Sequence, residues 1–228
     1  MSNTKIVNEI KRYITGSRSG ADLARQPAAL ELAAHDGIMW ATNRYWLTPA
    51  ARVAPLLGQY NLNAGTPGRF EVNSTVRKHD DNAPDLSRQL STPEKYPEPI
   101  APVKLGGRDA LVLTENGKFT LAVYQTASGA LLGLPADDLA WLADTASYGQ
   151  GSMGAALMLG PSDRFGEVRV MSEGHGGAPV LLTADVIRTV KPSGYETSED
   201  GQRHFRPAET ENLGPRTIGM LMAAKLDG

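Results

Sequence analysis

Residues 27–47, PAALELAAHDGIMWATNRYWL, read as two β-strands joined by a tight turn. Leu30 and Leu32 alternate with small or polar residues, the pattern of a half-buried strand. Asp36-Gly37 supplies the turn, because both residue types tolerate the positive φ that a two-residue hairpin demands. The return strand carries Ile38, Met39, Trp40, Tyr45 and Trp46. The pattern recurs at 110–124, ALVLTENGKFTLAVY, with Leu111, Leu113 and Asn116-Gly117 in the equivalent places. A hairpin used twice implies a duplicated, β-rich architecture.

The rest of the chain supplies a few helices. Ile6, Val7, Ile10 and Ile14 form one apolar stripe behind a cap at Asn3 or Thr4. Residues 15–27 read as a loop with one helical turn. Thr48-Pro49 reads as a cap and first helical position for Val53, Leu56, Leu57 and Tyr60, with Pro55 shortening the helix. Residues 68–77, GRFEVNSTVR, read as one strand. Pro135 opens a helix with Leu139 and Leu142 inward, and Asp137 and Asp138 suit its positive dipole end. GAALMLG and GEVRVMSE read as a strand pair around Pro161-Ser162-Asp163. LTADVIRTV reads as a fourth helix capped by Thr183, and RTIGMLMAAKL as a buried strand. The expected core comprises Leu30, Leu32, Trp40, Leu56, Leu111, Leu113, Leu139, Leu142, Leu157 and Met220. The expected fold class is α+β: two β-rich halves of antiparallel sheets with about four short helices on one face.

Five prolines and little periodicity mark residues 79–105 as a linker or a meandering edge, and the domain boundary is placed here. That divides the chain into residues 1–78 and 106–228. The 228 residues are 41% apolar, enough to build cores. With no cysteine, disulfides, thiolate catalysis and Cys-ligated metal sites are excluded. No apolar run has membrane-spanning length and no secretory pattern opens the chain, so a cytoplasmic location without membrane contact is expected. A net charge of −2 gives no global signal for nucleic acid.

Enzymatic motifs are weak. Gly149-Gln150-Gly151-Ser152-Met153-Gly154 matches a dinucleotide fingerprint by letters but follows a helix and precedes a strand. GSRSG places Arg18 where a nucleophilic serine belongs. Asp137 and Asp138 diverge by about 100° on a helix and cannot act as an acid/base pair. His35, His79, His175 and His204 lack metal-site spacing, although a loop site near His175 or His204 stays open. GHGG at 174–177 reads as a turn more readily than as an anion nest. No catalytic residue, metal or cofactor is expected, and the chain reads as a non-enzyme. The basic residues Lys5, Lys11 and Arg12 share one helix, Arg52 lies on the second, and Arg188 and Lys191 lie on or just after the fourth. Without a fold argument they read as an ordinary solvated face.

The order of helix, ALELAAHDGIMWATNRYWL hairpin, helix and strand resembles a domain of the DNA sliding clamps, the bacterial beta clamp and PCNA group. In that family a hairpin closes on Asp-Gly and ends in an Ala-Thr-Asp/Asn run. Asp36-Gly37 and Ala41-Thr42-Asn43 match it here. LPADDLAWLADTAS is similar to the helix that opens a clamp domain, and IGMLMAAKL to a clamp's final strand. The resemblance implies self-association into a ring of six domains, three copies of a two-domain chain. It also implies docking of a polymerase or other partner by short peptides in an outer apolar groove. Duplex DNA would be held through its phosphates by Lys5, Lys11, Arg12, Arg52, Arg188 and Lys191, without reading of sequence. The acidic third helix, with Asp137, Asp138 and Asp144, departs from the basic inner helices of clamps. It favours the alternative of an interaction protein on a clamp-like scaffold that binds a replication or defence component without touching DNA.

Overall fold

A computed structural model of the chain describes residues 3–16, 19–90, 96–114, 119–143, 149–150, 156–159, 169–172, 179–191 and 193–226. Helix α1 (Asn3–Thr15) buries Val7, Ile10 and Ile14, the stripe expected from its spacing. It stops at Gly16, whose φ of 61° lets its N–H turn back to the Arg12 carbonyl at 2.8 Å. The expected helical turn is α2 (Gly20–Arg25), capped reciprocally by Ser19 and Asp22.

β1 (Ala28–His35) and β2 (Ile38–Thr42) form the first hairpin, with His35 opposite Ile38 and φ values of 48° and 74° at Asp36 and Gly37. The return strand is broken, contrary to expectation. β2 ends at Thr42, and β3 (Trp46–Pro49) folds back beside it. Thr48 and Pro49 therefore belong to a strand. Helix α3 (Ala54–Gln59) begins later, with Pro55 in its first turn rather than shortening it. GRFEVNSTVR is also two strands, β4 (Gly68–Val72) and β5 (Val76–Asp80), because the Asn73 carboxamide accepts from the Thr75 N–H at 2.9 Å and closes a turn.

Within the stretch read as a linker, the chain forms α4 (Ser87–Leu90), buries Tyr96 and enters β6 (Glu98–Pro102). The small hairpin β7 (Lys104–Leu105) and β8 (Arg108–Asp109) follows, then β9 (Leu111–Leu113). β6 and β9 lie along the same side of β10 (Thr120–Gln125), so β7–β8 bulges from what is otherwise one strand. β11 (Leu131–Pro135) and α5 (Ala136–Ala143) come next, then β12 (Gly149–Gln150), β13 (Ala156–Leu159) and β14 (Arg169–Ser172). β13 and β14 do not pair with each other as expected. They lie end to end along β15 (Val180–Lys191). The chain closes with the hairpin β16 (Gly194–Thr197) and β17 (Arg203–Arg206), then β18 (Glu209–Leu221) and β19 (Ala224–Leu226).

The segment expected as a fourth helix is the strand β15. Val186, Ile187, Thr189 and Val190 are β-branched and stiff at χ1, and β18 offers a partner along the whole length. Twelve of the described strands run in the order β19-β11-β10-β6-β14-β15-β18-β3-β2-β1-β4-β5. β9, β12 and β13 pair off this path, and β7–β8 and β16–β17 are separate two-stranded sheets. Every pairing among the described strands is antiparallel. The fold is α+β and β-rich.

The core holds Leu30, Leu32, Trp40, Leu56, Leu142 and Met220 as expected, with Leu139 packed partly buried against it. Leu111 and Leu113 instead stand 58% and 69% exposed. Val112 on the opposite face is exposed as well, so neither face of β9 is covered among the described residues. The side chain of Leu157 lies outside the described residues.

Candidate functional site

The break between β2 and β3 builds one wall of a groove. Residues Asn43, Arg44 and Tyr45 form a tight turn tied by side chains. The Thr42 hydroxyl donates to the Trp46 carbonyl at 2.7 Å and accepts from the Arg44 N–H at 2.9 Å. The Asn43 carboxamide oxygen accepts from the N–H groups of Tyr45 and Trp46 at 3.0 and 3.1 Å, while its NH2 donates to the Tyr13 carbonyl at the end of α1, at 3.2 Å. These bonds hold Arg44 at φ 78°, a backbone region that non-glycine residues rarely adopt. The turn thrusts Tyr45 outward to 71% exposure while anchoring Trp46 inside, its indole N–H donating to the Tyr13 carbonyl at 3.0 Å.

Beneath this turn lies a groove of about 420 Å³. Trp46, Leu47, Leu86, Tyr96, Met220 and Leu221 make it apolar, and Tyr45 and Met222 stand exposed at its mouth. The Met222 N–H donates to the Tyr45 carbonyl at 2.9 Å, which ties the end of β18 to the turn. The Tyr96 hydroxyl reaches the Met220 sulfur at 3.3 Å.

Glu31 closes one side of the groove. Its Oε1 accepts from Arg44 Nη2 at 2.9 Å, from Arg69 Nη2 at 2.7 Å and from Arg69 Nε at 3.0 Å. Burial pushes the Glu31 carboxyl up, but the hydrogen bonds and charges of Arg44 and Arg69 outweigh it and leave the pKa below its ordinary value. Two guanidinium groups share one carboxylate, which leaves positive charge at the rim on Arg44.

The six basic residues named from the sequence do not share one face. Lys5 and Arg12 are exposed on α1. Lys11 donates to the Ser74 carbonyl at 2.9 Å, and burial lowers its pKa. Arg12 lies 5.1 Å from the Tyr13 ring centroid and 3.9 Å from Asp137. Arg52 is buried and donates to the carbonyls of Trp141 and Leu142 at 2.6 and 3.1 Å, at the C-terminal end of α5. Arg188 pairs with Glu211, and Lys191 lies 3.4 Å from Glu209 and 3.8 Å from Glu196. Arg188 sits seven residues along β15 from Leu181, which pairs with Met220 at the groove. At strand rise that is roughly 20 Å.

His204 is exposed on β17, and His79 lies 3.3 Å from Glu71. His175, the GHGG turn, Asp144 and residues 151–154 of the glycine-rich motif lie outside the described residues. Among the described residues no three His, Asp or Glu side chains gather as a metal ion would require. No helix among them is long and apolar enough to cross a membrane.

Periodicity gave no sign of the groove, since its wall comes from residue 31, residues 42 and 44–47, residues 84, 86, 89 and 96, residue 179 and residues 220–222. The available signal was Thr42-Asn43-Arg44, three polar residues inside an apolar run, with Asn a good former of left-handed turns. No protein-family model, curated protein or solved structure matches the chain.

Proposed function

We propose that this chain is a non-enzymatic interaction protein, sliding-clamp-like in design, which docks a short extended segment of a partner protein in the groove beneath the Arg44 turn. The observation that carries the proposal is the groove's construction. A rigid, strained turn presents Tyr45 opposite Met222 over an apolar floor, beside an arginine that shares its carboxylate with a second arginine. Met and Tyr are adaptable and anchoring contact residues respectively, and Arg44 favours a segment that carries a carboxylate next to its apolar side chains. The chain works in the cytoplasm on this reading.

A panel of fluorescent hexapeptides combining one or two acidic residues with Leu, Phe or Met tests it by polarisation. Saturable binding is expected, weakened about tenfold or more by Met222→Glu and by Arg44→Ala. Absence of binding across the panel, or binding indifferent to both variants, overturns the proposal.

Encirclement of duplex DNA by a self-associated ring is the second reading. Its support is the placement of Lys5, Lys11 and Arg12 on one helix. Arg52 is buried among protein carbonyls, and Arg188 and Lys191 face carboxylates, so these three have other work. Wild type and a Lys11→Glu/Arg12→Glu variant, titrated with duplex DNA over a salt series, separate the readings. Removing a cation that neutralises a phosphate should lower the salt slope by about one. A monomer in sedimentation that does not bind DNA at low salt rejects this second reading and leaves the groove proposal intact.

A further inference from the structure

The outer ends of β15 and β18 and the hairpin β16–β17 form an arm. From Arg188 to Asn212 no described residue is buried. A two-stranded ribbon of this kind is marginal in water without support. Its two faces differ in chemistry. On one, Glu196 pairs with Arg206 and lies 3.8 Å from Lys191, which also reaches Glu209, so charge is matched by charge. On the other, Tyr195 stands directly opposite Phe205, the rings edge to face with centroids 5.7 Å apart. Both rings are exposed, at 68% and 63%. The Arg203 guanidinium lies 5.7 Å from the Tyr195 ring centroid, and among the described residues no carboxylate pairs with it.

We propose that this aromatic face of the arm is a second docking surface, which takes a partner protein presenting a carboxylate beside an apolar side chain. Tyr and Arg are the residue types that dominate interface hot spots, and here they are stacked in advance, so binding costs little rotamer freedom. The partner's carboxylate pairs with the Arg203 guanidinium, while its apolar side chain covers the ring pair. A nucleic-acid strand fits less well. Aromatic rings do stack on bases. However, residues 188–211 carry five acidic and four basic side chains, with Glu199 and Asp200 at the tip, so successive phosphates meet net repulsion. The face offers two rings and one guanidinium, few anchors beside the ~800 Å² per partner that a standard stable interface buries, so binding is transient when it acts alone. It lies at the Lys191 end of β15, whereas the groove lies near the Val180 end, about 30 Å away at strand rise. The two surfaces are therefore testable apart.

The test is a selection of displayed random dodecapeptides on the full chain carrying Met222→Glu throughout, so that the groove does not select. In that background the wild-type arm is compared with Tyr195→Ser/Phe205→Ser and Arg203→Glu. The wild-type arm should enrich peptides with Asp or Glu next to an aromatic or aliphatic residue. The double variant should lose that enrichment, and Arg203→Glu should shift it toward Lys and Arg. Circular dichroism and, with Met222 retained, unchanged binding of groove peptides establish that the variants remain folded. Wild-type enrichment that survives in the double variant, or fails to change sign in Arg203→Glu, overturns the proposal. So does binding of fluorescent oligo(dT) that depends on Tyr195 and Phe205, which would assign the face to single strands. Sedimentation that shows a dimer dissolved by the double variant would assign it to a second copy of this chain and overturn it equally.

Discussion

Arg52 does the work of a helix cap from a distance. Its guanidinium donates to the carbonyls of Trp141 and Leu142, groups that a helix leaves unsatisfied at its C-terminal end. Trp141 in turn stacks on Tyr13, 4.6 Å between centroids, and meets Trp46 edge-on at 5.1 Å. One cation thereby ties α5 to α1 and β3. Arg52→Met keeps the volume but strands both carbonyls, and it should lower unfolding free energy by about 2–3 kcal/mol in chemical denaturation. Glu31 makes the complementary case with an anion. Its carboxyl is held below the ordinary value of 4.5, so its contribution is full above that pH and is lost as acid protonates it. Glu31→Gln should therefore destabilise at pH 7 and flatten the steepening of acid denaturation below about pH 4.5, read from midpoints across a pH series.

At the scale of elements, α5 and β18 are shaped by what they press against. Asp138 in the first turn of α5 is pushed up to about 6, first by burial and then by its neighbour Asp137, with Arg12 opposing. The sign is opposite to that of Glu31. Between the ordinary value of 3.8 and about 6 the folded chain holds a proton that the unfolded chain releases, so this group weakens the fold as pH rises through that window. Asp138→Asn should raise stability at pH 7 by on the order of 1 kcal/mol after allowance for solvent screening, with little change at pH 4. Thermal midpoints at the two pH values check it. In β18, Gly219 lets the strand approach β3, since a Cβ there would sit 2.9 Å from the Leu47 carbonyl oxygen. Gly219→Ala should cost about 1–3 kcal/mol by forcing backbone apart, measurable by denaturant midpoint. A neutral result would show that β3 can retreat.

Across the whole molecule, one sheet connects both hairpins, and the core cluster runs from Val7 of α1 to Leu221 of β18. Stability should follow burial in that cluster rather than hydrophobicity in the sequence. Leu142, fully buried, should cost about 2–5 kcal/mol when cut to Ala. Leu111→Thr and Leu113→Thr should each change stability by no more than about 0.5 kcal/mol. The same denaturation series measures all three, and a large loss at Leu113 would mean that β9 is covered in solution.

The sequence by itself determined the local pieces whose physics is local. The α1 stripe repeats at helical spacing, Asp36-Gly37 can take positive φ in succession, and two aspartates sit in the first turn of α5, which begins just after Pro135, the last residue of β11. An α+β class of antiparallel sheets follows from those pieces and their short connections. Only the tertiary structure decided the rest. LTADVIRTV has a cap and an apolar face suited to a helix, yet pairing with β18 along the strand's whole length outweighs a weak propensity. Leu111 and Leu113 alternate as a buried strand would, but burial needs a second layer that the sheet does not place there. Arg52 carries the letters of a phosphate ligand, and its meaning came from two carbonyls about ninety positions further along the chain. The groove is likewise assembled from five separate stretches, so no window of sequence contains it. Charge and pattern are properties of residues, whereas exposure and partnership are properties of the packed chain.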